Sequence, residues 1–295
     1  MKVHNGYLYV ASYYQHRVFR INLSNGNCDW NHYIRYARNL AISSNNILYA
    51  TGYYGNAVVG TVSGTSISFG TIVVFESSWS DFISIGYDAN AQKVVIAYRD
   101  LYNSASGTAI VGTVSGTSIS FGTAAVFESA DTSYTSTAYD ENAQKIVIAY
   151  TDGGNSSRGT AVVGTVSGTS ISFGTPVVFE SASIGAVFYA PDLAFDSNSN
   201  KVVITYPDGG NSNLPTAIVG TVDPSDNSIS FGTAATLQAS GAANTDMSIA
   251  FDSNSNKVLI VYRDGGNSNY KTGIVGTVSG TSISFGTKAV VVSST

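Results

Sequence analysis

The sequence is poor in the residues that most often announce chemistry. It has one cysteine, Cys28, so no disulfide can close within the chain and no cysteine-based metal site can be built. Asn27 and Asp29 flank it without an activating cation or a CxxC partner, which reads as an inert thiol. Histidine occurs three times, at His4, His16 and His32. No carboxylate pattern accompanies them, so incidental placement is the better reading than a zinc triad. Charged residues make up 11% of the 295 and the net charge is -5. Lys and Arg form no cluster, and a nucleic-acid partner needs a concentrated basic footprint. No apolar run reaches membrane-spanning length, and the start MKVHNGYLYVASYY shows no signal-peptide core. Membrane insertion is therefore not expected, and the chain reads as cytosolic, as part of a particle assembled in the cytosol, or as exported by a route the sequence does not show. Helical periodicity, the phosphate-cradling G-x-x-x-x-G-K string and the G-x-S-x-G nucleophile elbow are missing too.

What the chain has instead is repetition. GTVSGTSISFGT stands letter for letter at Gly60–Thr71, Gly112–Thr123, Gly164–Thr175 and Gly276–Thr287, and GTVDPSDNSISFGT at Gly220–Thr233 is a fifth copy with two extra residues. Its Phe recurs at Phe69, Phe121, Phe173, Phe231 and Phe285, at spacings of 52, 52, 58 and 54. Asn5–Val18 and Asn45–Val58 share a frame of LY-x-A, then YY, then V, which makes six units in all. We place them at approximately 1–35, 36–77, 78–129, 130–182, 183–239 and 240–295, within one domain, because repeats of this length bury their apolar faces on each other.

Each complete unit holds four short β-rich runs parted by turn residues. In the last unit these are MSIAFD, KVLIVYRD, TGIVGTV and SISFGTKAVVV. The two-residue insertion of the fifth unit falls between its third and fourth runs, as a hairpin tip would tolerate. Six four-stranded antiparallel units suit an all-β propeller, with a linear β-solenoid as the alternative. Only Met1–His4 precede the first turn, so the first blade is expected to be incomplete. Its open edge could be filled by another chain, giving an oligomer.

Antiparallel order puts the first-to-second and third-to-fourth turns at one end of each sheet, and the remaining links at the other. The former (DANAQK, DENAQK, DSNSNK, SGT) barely vary; the latter differ from unit to unit and carry aromatics and arginines. Binding residues tend to sit on loops held by a rigid scaffold. Trp79, Arg99, Tyr102, Tyr134, Arg158, Tyr189, Arg263 and Tyr270 are therefore the candidate ligand-binding residues. The DGGNS loops (Asp152, Asp208, Asp264) read as Asx turns with glycines supplying positive φ, rather than as a cation-binding ring. Asp196–Asn200 and Asp252–Asn256 resemble half of a calcium loop but lack its later Gly and Glu, and read as polar turns.

The order of a strand ending in Asp, a turn, a K-V-x-I-x-Y strand and a D-G-G-N loop resembles NHL- and YVTN-type propeller repeats. The GTVSGTSISFGT string resembles repeats in virion and tail-fibre proteins of marine bacteriophages. The resemblances imply a non-enzymatic adhesion propeller, with a host surface glycan or a virion protein as partner and a virion as location. The alternatives are a cytosolic interaction scaffold and a propeller-based lyase or glycosidase, for which Arg158, Arg263 and Asp192 are scattered candidates. Neither a cofactor nor a metal site is expected.

Overall fold

The computed structural model describes residues 54–64, 66–184, 191–238 and 247–292 in full. Over 1–53 it describes the strands, together with Ser24 and Cys28. Among the described residues, each of the six repeats contributes four strands that pair antiparallel in sequence order. The third shows the plan: Ser80–Asp88, Lys93–Asp100, Ser106–Ser115 and Ser118–Phe121 pair in sequence order. This is the all-β propeller expected from the sequence. The first sheet also has four strands, because Lys2–His4 pairs with the next strand (Lys2 opposite Tyr9). Its opening strand has three residues, so the expectation that this strand is missing is corrected. The expected link at Glu128 is not a loop. Ala125–Asp140 is one strand that serves both the third and the fourth repeat.

The second strand of the third, fourth and fifth repeats is buried on both faces, whereas in the sixth Leu259 is exposed. Val94, Val95, Ile96, Ala97 and Tyr98 are all fully buried, as are Ile146, Val147, Ile148, Ala149 and Tyr150. A strand covered on both sides reads as a continuous apolar run, and this is why K-V-x-I-x-Y shows no clean alternation. After SISF the fourth strand breaks at Gly-Thr and resumes beside the same third strand, for example at Val73–Val74. The break is held by the glycine N–H: Gly70 donates to the Val59 carbonyl at 2.9 Å, and Gly232 to that of Val219 at 2.9 Å.

Contacts group the chain into two compact bodies, Met1–Ser129 with Val166–Ile171, and Ala130–Thr165 with Ser172–Thr295. In each body, successive repeats meet in the same way. The glycine of FGT lies under the next repeat's hairpin tip, so a Cβ there would come within 1.9 Å of a main-chain oxygen: Gly70 against Thr117 and Gly122 against Thr169 in the first body, Gly232 against Thr281 in the second. Asn227, from the two-residue insertion, plays the same part over Gly174 at 2.0 Å. The Phe of VVFES reaches forward in parallel. Phe75 stacks on Tyr98 (centroids 5.3 Å) and Phe121 (5.6 Å), and Phe179 on Tyr206 (5.1 Å) and Phe231 (5.8 Å). Tilted aromatic pairs of this kind each add about 0.5–1.5 kcal/mol beyond area burial.

Two predictions follow from this packing. Gly232→Ala should lower the melting temperature through overpacking that costs about 1–3 kcal/mol. Gly286→Ala, with its nearest atom the Val275 oxygen 3.7 Å from the added carbon, should melt within a degree or so of the parent on the same calorimetric scan. The buried tyrosines set an alkaline limit. Burial, and then the neighbouring carboxylates Glu76 and Asp100, push the Tyr98 hydroxyl above its ordinary range; Glu180 and Asp208 do the same for Tyr206. A group whose pKa rises on folding stabilises the fold below its unfolded value of about 10 and loses that contribution as pH climbs beyond it. Phenolate absorbance for these rings should then appear only together with the loss of β-sheet circular dichroism. Full tyrosine ionisation in a still-folded chain would contradict their burial.

Candidate functional site

In the third, fourth and fifth repeats the second-to-third loop sits against the link arriving from the preceding repeat. The Leu101 N–H donates to the Trp79 carbonyl at 3.2 Å. In the second body a Cβ on Gly209 would lie 1.9 Å from the Ser183 oxygen, and one on Gly154 2.2 Å from the Ala130 side chain. The DGGNS glycines therefore serve close approach. The expectation that they supply positive φ is corrected: left-handed backbone falls on the following pair instead, Ser156 and Ser157, Ser212 and Asn213, Ser268 and Asn269. Asx turns form at Asp152 and Asp264 but not at Asp208, whose side chain makes no cap bond, so the expectation is corrected there. Asp152 accepts from the Asn155 N–H at 3.0 Å, Asp264 from that of Gly266 at 2.9 Å, and Asp100 from Tyr102 and Asn103. The calcium-like strings are polar turns as well, with Asp196 accepting from Asn198 and Ser199, and Asp252 from Asn254.

The connector end of the second and third repeats, all within the first body, gathers the aromatics. Tyr54 and Trp79 form a tilted pair with centroids 5.9 Å apart. They are 43% and 45% exposed, and Tyr102, beside the Leu101 that bonds Trp79, is 77% exposed. Below them Arg99 makes two bonds to Asp81, both 2.8 Å, and its guanidinium lies 4.4 Å from the Phe82 ring centre. Phe82 sits at a β-bulge with φ 46. A bulky side chain in that region is held there by its surroundings. Tyr134 occupies the matching bulge of the fourth repeat with φ 54.

The other candidates do not converge with these. Arg158 donates to the Ser181 carbonyl (3.0 Å) and to Asn155 Oδ1 (3.1 Å), so it braces its own loop. Arg263 stands opposite Lys271, and Tyr270 opposite Asp264, on paired strands. Tyr189 lies outside the described residues, as do the side chains of His4, His16 and His32. Cys28 is exposed and unbridged. Among the described residues no three His, Cys, Asp or Glu side chains gather as a metal cluster, and no helix is long and apolar enough to cross a membrane.

Two groups are less visible in the sequence than in the fold. Tyr54 stands in the sequence only as the second tyrosine of the YY pair in Asn45–Val58. Asp192 is one of the scattered charges, yet it stands where other repeats carry serine (Ser84, Ser136, Ser248). One of its oxygens accepts from the Ser136 hydroxyl at 2.8 Å and the Leu193 N–H at 3.0 Å; the other accepts from the Ser248 hydroxyl and the Ile249 N–H, both at 3.1 Å. This carboxylate clasps the opening strands of the fourth, fifth and sixth repeats. The signal was available as the one acid in a column of serines. Asp192→Ala should destabilise the fold by about 1–3 kcal/mol, since it strands buried donors. Urea melts of the two proteins measure this, and an unchanged midpoint would contradict the clasp.

No family model matches the chain, and no curated protein is similar to it in sequence. Solved structures do resemble it in fold. A Lactobacillus plantarum protein matches with TM-score 0.64 at 12% identity, over 93% of this chain and 77% of its own. The periplasmic gluconolactonase of Pseudomonas aeruginosa matches with TM-score 0.50 at 10% identity, over 97% and 96%. The dihydro-heme d1 dehydrogenase NirN matches with TM-score 0.55 at 9% identity, over 97% of this chain and 53% of that one. Likeness at such identities speaks for architecture alone, and that architecture is the β-propeller.

Proposed function

We propose that the chain is a binding propeller whose connector end at the second and third repeats takes a neutral ligand, most simply a surface glycan. The observation that carries this is the exposed group Tyr54, Trp79 and Tyr102. Aromatic rings with a polar handle, standing clear of the core, suit the apolar faces of sugar rings and the centres of protein contacts. The charge of Arg99 is spent on Asp81, which favours an uncharged partner over an acidic one. The phage-adhesion form of this reading, with its virion location, rests on the repeat string. None of the structural neighbours named above is a virion protein by name.

A second reading, an enzyme on a propeller scaffold, draws on the neighbour described as a gluconolactonase. It would need an asymmetric set of acid and base groups. Asp192 is the asymmetric acid, and its oxygens are already engaged by four donors.

A glycan array probed with the parent chain and with a Tyr54→Ala, Trp79→Ala double variant separates these readings. Loss of signal by at least about tenfold, with an unchanged melting temperature, is expected for exposed anchors of this size. Equal signal from both proteins would sink the glycan reading. Turnover of gluconolactone by the parent chain would favour the enzyme.

A further inference from the structure

The four buried tyrosines that end the K-V-x-I-x-Y strands occupy equivalent sites, and the sixth repeat treats its site differently from the rest. There the Tyr262 hydroxyl donates to Gln238 Oε1 at 2.9 Å. The Lys288 ammonium bonds the same Gln238 oxygen at 3.2 Å and Asp264 Oδ2 at 2.6 Å. The Asp264 side chain is fully buried, so its charge is met by an equally local positive one. The third repeat carries Glu76, Tyr98 and Asp100 at these places, and the fifth Glu180, Tyr206 and Asp208. Each therefore has a second carboxylate where the sixth has Gln238. Where the sixth has Lys288 they have Ala124 and Ala234.

The lysine and the glutamine thus go together. With both, the cluster is neutral; without either, two negative charges face one buried hydroxyl. The Tyr98 and Tyr206 side chains are wholly buried, and their hydroxyls complete no hydrogen bond of good geometry, although Glu76 and Glu180 approach them. Glu76 Oε1 accepts from the Ser78 N–H, Glu180 Oε1 from that of Ala182, and Asp100 Oδ1 from Tyr102 and Asn103. Each of these carboxylates keeps its other oxygen outside those turns.

We propose that the Glu76–Tyr98–Asp100 and Glu180–Tyr206–Asp208 clusters each bind one divalent cation of calcium type, at the place the Lys288 ammonium fills in the sixth repeat. The donors are all oxygen, as a hard cation requires, and water or main-chain carbonyls would complete its shell. Two carboxylates balance a double positive charge as Asp264 balances Lys288. The fourth repeat carries Glu128, Tyr150 and Asp152 at the same places but is not counted, because its buried tyrosine hydroxyl is not left without a partner as those of Tyr98 and Tyr206 are. The inference is independent of the glycan reading.

Terbium tests it, since this ion takes calcium sites and emits when a neighbouring tyrosine absorbs. The parent chain should bind two equivalents, with sensitised emission that calcium displaces. Copying the sixth repeat into the third (Glu76→Gln with Ala124→Lys) should leave one equivalent. Copying it into the fifth as well (Glu180→Gln with Ala234→Lys) should leave none, and both variants should keep the parent's β-sheet circular dichroism. The reverse change, Gln238→Glu with Lys288→Ala, should raise the count to three. Absence of sensitised emission from the folded parent, or emission that survives all four substitutions, would overturn the proposal. If the copied variants fail to fold, the reverse change decides the matter: a count that stays at two rejects the site.

Discussion

One contact recurs through both bodies of this protein: a main-chain oxygen of a hairpin tip resting on the α-carbon of a glycine in the preceding repeat. Everything else in the packing is set by how close that approach is. With the oxygen 1.9 Å from where a Cβ would be, the sheets meet closely enough for Phe75 and Phe179 to reach across to the next repeat's tyrosine and phenylalanine. The same glycine ties its own sheet together by donating to the third strand. It thus serves the sheet through its nitrogen and the neighbouring repeat through its missing side chain. This explains why GTVSGTSISFGT is kept so strictly along the chain: the string contains both the seat for the following repeat's tip and, in its Ser-Gly-Thr turn, the tip that rests on the preceding repeat's glycine.

The energetic consequence is a core made of many similar layers rather than one centre. The second strands of the third, fourth and fifth repeats are sealed on both faces, and these and that of the sixth carry near their end a buried tyrosine that needs a polar partner in an apolar place. The chain meets that need in more than one way. Gln238 and Lys288 do so with neutral charge, whereas Glu76 and Glu180 bring negative charge to the site. Such departures from strict repetition are where specific chemistry can reside, because a feature present in every repeat serves the fold first. Asp192 is the other clear departure, an acid in a column of serines that ties three opening strands together.

The architecture was legible because its signals are local and repeated. Strand lengths, turn residues and the order of pairing all follow from the twelve-residue string and the K-V-x-I-x-Y runs, and the two-residue insertion marked its hairpin tip. What the string could not convey was depth. Nothing in FGT distinguishes a glycine chosen for positive φ from one chosen for contact, and in DGGNS the conventional turn reading put the left-handed backbone on the wrong residues. The candidate site was legible in part. Trp79 and Tyr102 are placed together by the loops that carry them, and Tyr54 joins them from the preceding repeat at a distance in sequence that periodicity does not bridge. Arg158 looked like a free cation in the sequence, but the carbonyl of Ser181 and the amide of Asn155 claim it, a pairing that only the three-dimensional loop reveals.

The seat-and-tip contact also bears on how such a chain can change over generations. Since one short stretch encodes both halves of the joint, a duplicated or deleted copy arrives with its fittings already matched to whatever lies on either side. Near-identical coding stretches are the natural substrate of unequal recombination, so the number of modules can shift without any new surface having to be invented. The connectors, which take no part in the joint, are then free to diversify at their own pace.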